Sequence, residues 1–196
     1  MNSPIILASG SAIRARILEG AGVPFRVVKP DVDEGAIKRA NAGIDLEALA
    51  MRLAEAKALA ADAPPAALVI GSDQILEFKG SAFDKPASMD EARSRLLEMA
   101  GAAHTLINAV AVAKGGEIVF RHLDRPKLFV RALVENELDD YLDAAGPDIL
   151  ASVGAYQVES FGARLFEKIE GDYFAVLGLS LFPLLAFLRR EGAIGF

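Results

Sequence analysis

The 196-residue chain contains no cysteine. That excludes disulfides, zinc ribbons, iron–sulfur clusters and a thiol nucleophile. It has only two histidines, His104 and His122, so a histidine-rich metal site is excluded and a Ser-His-Asp triad has little support. Any metal must sit on carboxylates, which favours hard ions such as magnesium or manganese. Basic charge is also short: 21 Lys and Arg against 27 Asp and Glu leave a net charge of −6. An electrostatic nucleic-acid footprint needs a basic face, so no nucleic-acid partner is expected, while a small anionic ligand in a locally basic site stays open. No G-x-x-x-x-G-K-[ST], G-x-G-x-x-G or G-x-S-x-G occurs, so the chain carries neither a P-loop, a dinucleotide fingerprint nor a nucleophile elbow. Met1–Ala8 lacks the basic start and long apolar stretch of a signal peptide. Tyr173–Arg190 is apolar through Leu188, but it is shorter than the ~20 residues a membrane span needs and contains Gly178 and Pro183. It reads as a buried helix, with no membrane partner and a cytoplasmic location expected.

What is present is ample apolar material. Hydrophobic residues make up 53% of the chain and mean hydropathy is +0.31, enough for a sizeable core. Strands are expected at Pro4–Ala8, Phe25–Val28, Ala67–Ile70, His104–Ala113, Glu117–Arg121, Pro126–Leu133 and Arg164–Ile169. Helices are expected from Ser11 to about Ala21, after Asp45 through the Ala- and Leu-rich stretch to Pro64, from the Ser88/Glu91 capping box to Met99, over Leu138–Ala144 and over Ser180–Arg190. Lys29–Gly43 reads as a polar loop with some local helix, and Gly115-Gly116 as a hairpin turn. Without repeats or linkers, residues 1–196 read as one domain. Alternating helices and strands with a central antiparallel stretch indicate an α/β fold with a mixed, elongated sheet flanked by helices. Ligands in such sheets bind beyond the carboxyl ends of strands, which singles out two loops, Ser9–Ala12 and Gly71–Gln74.

In "LASGSAIRAR", small residues allow close backbone approach. Ser11 can cap the helix, whose N-terminus favours anions, and Arg14 lies one turn in, able to fork onto phosphate oxygens. The plainer reading is a capped helix with a surface arginine. "PDVDEG" places Asp31, Asp33 and Glu34 within five residues, either a solvated acidic turn or part of a hard-cation site. Asp73 follows an apolar run, where a carboxylate is costly unless paired, metal-bound or used as a cap. Lys57 stands on the Ala-rich helix, and Lys85 sits in "FDKP", where Pro86 imposes an extended turn. Carboxylates for a divalent ion beside Arg and Lys for negative charge suit phosphoryl or nucleotidyl chemistry.

Taken in order, these motifs resemble the Maf family. "LASGSAIR" is similar to its L-A-S-x-S-x-x-R opening, "VDE" at Val32–Glu34 follows, "RLAEAKA" resembles its lysine helix, and "VIGSDQ" and "DKP" resemble its V-I-G-[AS]-D and G-K-P motifs. "GAYQVESFGARLFEKIEGDYFAVLGLSL" resembles its A-Y segment and closing motif, so the likeness runs from about Ile6 to Leu188. It implies two lobes around a deep cleft, as in inosine triphosphatase-like proteins. It further implies a divalent-metal nucleoside triphosphate pyrophosphatase yielding a monophosphate and pyrophosphate, often a homodimer, with a septum-inhibition link attached to the name. By the same resemblance Asp73 is the catalytic carboxylate and Glu34 helps with the metal, while Ser9, Ser11, Arg14, Lys57 and Lys85 hold phosphate. Ile13, Gln74 and Glu159 match the positions that sort substrates. Gln74 with Glu159 resembles the branch taking 7-methyl-GTP, whereas that branch has Trp at the place of Ile13. Other departures are a missing arginine in Ser11-Ala12-Ile13-Arg14, no lysine before the A-Y segment, and Ala175 and Ser180 where Asn and Pro are common. The alternatives are a dTTP/UTP pyrophosphatase and a nucleotide-binding regulator without turnover.

Overall fold

The structure, a computed structural model, describes residues 3–196. Its strands are β1 (Ile5–Ala8), β2 (Arg26–Val27), β3 (Leu68–Phe78), β4 (Ser81–Phe83), β5 (Ala103–Lys114), β6 (Glu117–Asp124), β7 (Lys127–Val130) and β8 (Phe166–Glu170). The helices are α1 (Ala12–Gly20), α2 (Glu34–Ala40), α3 (Leu46–Ala60), α4 (Met89–Met99), α5 (Glu135–Ala145), α6 (Tyr173–Val176) and α7 (Leu181–Arg190). The strands form an eight-stranded mixed sheet in the order β2-β1-β3-β5-β7-β8, with β4 added to β3 and β6 to β5. The α/β class expected from the sequence is what the chain adopts.

Contacts divide the chain into two compact units. The first comprises the chain up to Gln74, Asn108–Asp124 and Gly178–Phe196, and the second Ile75–Ile107 and Arg125–Leu177. In the first unit β1 pairs in parallel with β2 and with β3, Ala8 lying opposite Gly71. β5 and β6 pair antiparallel across the Gly115-Gly116 turn, both glycines having positive φ. Ile6, Ala8, Ala58, Ala67, Val69 and Ala113 pack as one apolar cluster. α7 buries Leu181, Leu184, Phe187 and Leu188, and Phe187 stacks on Phe120 with ring centroids 4.7 Å apart. The apolar stretch Tyr173–Arg190 is therefore interrupted between α6 and α7, and no described helix is long and apolar enough to cross a membrane.

In the second unit the end of β3 turns through Lys79 and Gly80, both at positive φ, into β4. The start of β5 pairs with β7, and β7 with β8. Leu76, Phe78, Leu96, Met99, Leu106, Leu128, Leu138 and Leu142 form the core there. α4 starts at the expected N-cap: Ser88 Oγ accepts from Glu91 N at 3.1 Å, and the returning Glu91 carboxylate accepts through Oε2 from Ala87 N at 2.7 Å, one residue before the cap.

Three sequence expectations need correction. The strand expected at Ala67–Ile70 is β3, which continues to Phe78, so Gly71–Gln74 is strand and not a loop. Ile75, Leu76 and Phe78 are buried and carry the strand onward, while the charge of Asp73 is met by a distant lysine. The strand expected at Pro126–Leu133 ends at Val130, and the one expected from Arg164 starts at Phe166 because Phe161–Leu165 forms a 3-10 turn.

Candidate active site

β1 delivers Ser9 and Ser11 to the start of α1. Ser11 stands at the N-cap position, as its type predicts, but its hydroxyl makes no capping bond. Instead Ser9, buried at 5% exposure, closes the turn: its Oγ accepts from Ser11 N at 3.1 Å and from Arg14 Nη1 at 3.3 Å. The backbone N–H groups of the first turn of α1 have no intrahelical partner, an arrangement that favours anions in general.

Arg14 is not a surface arginine. Its Nε donates to the carbonyl of Gly178 at 2.7 Å and its Nη1 to the carbonyl of Ser72 at 2.9 Å. Burial pushes the guanidinium below its ordinary pKa, and the charges of Asp73 and Glu34 pull it back up. It remains a cation, as arginine does in proteins. The site therefore holds a half-buried positive charge tied to backbone on both sides.

The acidic run splits into separate tasks. Asp33 caps α2, its Oδ1 accepting from Ala36 N at 2.8 Å, and Asp31 is exposed. Glu34, the first residue of α2, reaches Lys57: Lys57 Nζ lies 2.9 Å from Glu34 Oε1 and 2.6 Å from Asp73 Oδ1. The side chains of Lys57 and Asp73 are 11% and 10% exposed and that of Glu34 46%. Asp73 is thus neither a helix cap nor a strand terminator. It is a buried strand carboxylate whose charge is compensated, the condition under which a carboxylate is found buried.

Gly71 makes this meeting possible. A Cβ there would lie 2.2 Å from the carbonyl oxygen of Ala54 and 2.6 Å from the amide of Ala58. β3 therefore runs against the small-residue face of α3 without a side chain between them, bringing Lys57 onto Asp73.

Two carboxylates converging on one cation are also the donor set of a hard divalent ion held by one or two carboxylates plus substrate oxygens and water. Among the described residues there is no group of three or more His, Asp or Glu placed to hold a metal. A divalent ion here would take Asp73 and Glu34 and complete its shell from phosphate and water, in place of the Lys57 ammonium.

Ser9, Ser11, Arg14, Glu34, Lys57 and Asp73 thus come together in the first unit. Ile13 and Gln74, both half-buried, are their chain neighbours on α1 and β3. Lys85 and Glu159 belong to the second unit, where both are exposed. The turn carrying Lys85 is pinned by buried Pro86 and by Arg95, which donates to the Asp84 carbonyl. Upstream of Glu159, buried Tyr156 pairs its hydroxyl with His104 Nε2 at 2.6 Å. The sequence gives no site role to Ser72, Asn108, Gly178 or Ser180, which are all buried at the site. An asparagine within the apolar run "LINAVAVA" was the available signal.

A protein-family model described as Maf-like protein matches residues 4–191. A nucleoside triphosphate pyrophosphatase of Caulobacter vibrioides is 47% identical over 194 residues, 98% of each chain. A protein of the same name from Rhodospirillum rubrum is 46% identical over 97% of this chain and 96% of its own. A 7-methyl-GTP pyrophosphatase of Mesorhizobium japonicum is 44% identical over 197 residues, 99% of each chain.

Proposed function

The chain belongs to the Maf-like protein family, and from that premise we propose that it is a metal-dependent nucleoside triphosphate pyrophosphatase selective for guanine-type bases. The carrying observation is the Lys57 ammonium held between Glu34 and Asp73, with the half-buried Arg14 guanidinium bonded to the carbonyl of Ser72, the residue before Asp73. Carboxylates that can activate water and cations that can bind phosphate are gathered within one compact unit.

In this reading the start of α1, with Ser9 and Ser11, receives phosphate oxygens through backbone N–H and hydroxyl groups. Arg14 adds a fixed positive charge at the same place. Lys57 turns from carboxylate to phosphate once the triphosphate supplies negative charge. Asp73 accepts a hydrogen bond from a water molecule and holds it in line with the α-phosphorus. The water oxygen bonds to that phosphorus, the bond to the oxygen bridging the α- and β-phosphates breaks, and pyrophosphate departs with that oxygen. The water's proton goes to Asp73 and then to solvent. A magnesium or manganese ion on Asp73 and Glu34 would supply Lewis acidity and neutralise phosphate charge.

For Lys85 and Glu159 the support is the motif resemblance. Lys85 is assigned to phosphate charge. Glu159 offers two acceptor oxygens, which suit the adjacent N1–H and N2–H₂ donors of guanine, and its charge favours a methylated, positively charged base. Uracil offers one such donor. The 7-methyl-GTP pyrophosphatase among the relatives supports the same direction.

The test is pyrophosphate release from a panel of triphosphates with magnesium or manganese, and with a chelator. Guanine-type triphosphates, methylated ones included, should exceed dTTP and UTP, the chelator should abolish release, and Glu159→Gln should narrow the gap. Release of orthophosphate alone, or of nothing, overturns the reaction. A best rate with dTTP or UTP overturns only the base assignment.

A further inference from the structure

Asn108 lies within the apolar strand β5 and is fully buried, as are Ser72 and Ser180. A buried amide is retained where its hydrogen bonds are made. Oriented so that each donor meets an acceptor, the Asn108 amide nitrogen donates to the carbonyl of Gly178 at 3.0 Å. Its oxygen accepts from Ser180 N at 3.2 Å and Ser180 Oγ at 2.8 Å. The Gly178 carbonyl also accepts from Arg14 Nε at 2.7 Å and from Ser72 Oγ at 2.9 Å. One carbonyl oxygen with two lone pairs thus collects three donors, one of them charged. Gly178 itself has φ of +99°, and a Cβ there would sit 3.4 Å from Arg14 Nε. A side chain at 178 would strain the backbone, while its Cβ would meet the guanidinium at ordinary contact distance.

The contacts continue to the reacting groups. Arg14 Nη1 donates to the carbonyl of Ser72, the residue before Asp73, at 2.9 Å, and to Ser9 Oγ in the phosphate loop at 3.3 Å. We propose that Asn108 is a positioning residue for pyrophosphate release: with Ser180 it fixes the Gly178 carbonyl, which orients Arg14, which sets the backbone on either side of the site. The role rests on the pyrophosphatase reading above and adds to it residues of β5 and of the entry to α7. It also gives Nε and Nη1 of Arg14 a task inside the protein, the alignment of β3 with the loop before α1.

The physical consequence is specific. Loss of the Asn108 amide frees the Gly178 carbonyl to rotate, and Arg14 follows it. Asp73 and the loop at Ser9 then lose their common reference, and a misplacement of about 1 Å near the chemistry costs rate more than binding.

The experiment is steady-state pyrophosphate release by the full chain, with Asn108→Ala, Arg14→Ala and the double variant, assayed well below each melting temperature. Asn108→Ala should lower kcat about tenfold or more with KM within about threefold. Added to Arg14→Ala, it should cost less than about a further twofold, because its effect passes through that guanidinium. A purely structural asparagine would lower the melting temperature and leave kcat of the folded protein unchanged, and that result overturns the proposal. Full additivity with Arg14→Ala overturns it as well. If Asn108→Ala does not fold, Ser180→Ala carries the same test at smaller amplitude: kcat should fall about threefold with the same non-additivity, and an unchanged kcat counts against the role. Wild-type protein that releases no pyrophosphate removes the functional reading, and this inference with it. Turnover by wild type and by Asn108→Ala at equal kcat removes the positioning role alone.

Discussion

Gly71→Ala puts a single methyl group between β3 and α3. In the native packing that methyl carbon would lie 2.2 Å from Ala54 O, 2.6 Å from Ala58 N and 3.0 Å from Ala58 Cβ, where ordinary contact begins at 3.4 Å. The deficit at the worst contact is 3.4 − 2.2 = 1.2 Å. The first two atoms belong to the backbone of a 15-residue helix, so no side-chain rotation relieves them and the strand and helix must part. Overpacking of a core costs about 1–3 kcal/mol, against which alanine recovers about 0.5–1 kcal/mol of the strand penalty of glycine. A net loss of about 1–2 kcal/mol in a chain of this length lowers Tm by roughly 2–8 °C. Activity should suffer more than stability. Lys57 stands next to Ala58, and a shift of α3 on the order of 1 Å breaks its 2.6 Å contact with Asp73, with kcat falling about 10- to 100-fold in protein that is still folded. Thermal unfolding by circular dichroism and pyrophosphate release at 20–30 °C below Tm measure the two effects. A Tm within about 1 °C of wild type with kcat within about twofold would show that the strand–helix approach is not what seats the lysine.

Asp73→Asn keeps the shape and removes the charge, so pyrophosphate release should fall by a factor on the order of 10² or more with an intact circular dichroism spectrum; near-wild-type turnover would reduce Asp73 to a partner of Lys57. Lys85→Ala should raise KM for every nucleobase alike, and an effect confined to one base would contradict its assignment to phosphate. Burial pushes His104 down to about 4 from its ordinary 6.5, and its Nδ1 has no partner among the described residues, so between those values the unfolded chain binds a proton that the folded one refuses. Its contribution is complete above pH 6.5 and is lost as pH falls toward 4, about 3 kcal/mol over the window; urea unfolding at pH 7 and pH 4.5 should show a smaller acid loss for His104→Gln, and equal losses would place the acid sensitivity elsewhere.

Features fixed by a few neighbouring residues were legible in the sequence. Asp45 caps α3 through Glu47 N and Ala48 N, Ser88 and Glu91 start α4, and the glycines at 115 and 116 turn β5 into β6. Each is a contest decided within about four residues of chain. The candidate site was legible as a set of residue types at ordered positions, because phosphate chemistry needs cations and carboxylates wherever the chain finds them. Its partnerships were not legible. Asp73 read as the end of a strand because a buried carboxylate needs compensation, and that compensation comes from Lys57 on another element. The hydroxyl of Ser11 read as a cap, yet the bond that closes the turn belongs to Ser9.

Arg14 marks where local reading ends. From its helix position it is an arginine one turn inside α1, read most plainly as a surface side chain and otherwise as a phosphate ligand. Its shortest hydrogen bond is to the carbonyl of Gly178, 164 residues away, which also takes the hydroxyl of Ser72, 106 residues from it. Nothing in the pattern around Arg14 encodes that carbonyl, and nothing around Gly178 encodes the arginine. The two glycines illustrate the same point from the backbone side. Gly71 is required because helix backbone occupies the place of its side chain, and Gly178 because its φ of +99° disfavours one. Both stand in motifs as the same letter, and the reason for each exists only in the folded chain. A substitution that respects the motif letters but not these partners should therefore fail at the site: Gly178→Ala should cost turnover through the Arg14 hub, and Gly71→Ala through Lys57. Their effects on kcat should be separable, since only the first should be masked by prior removal of Arg14.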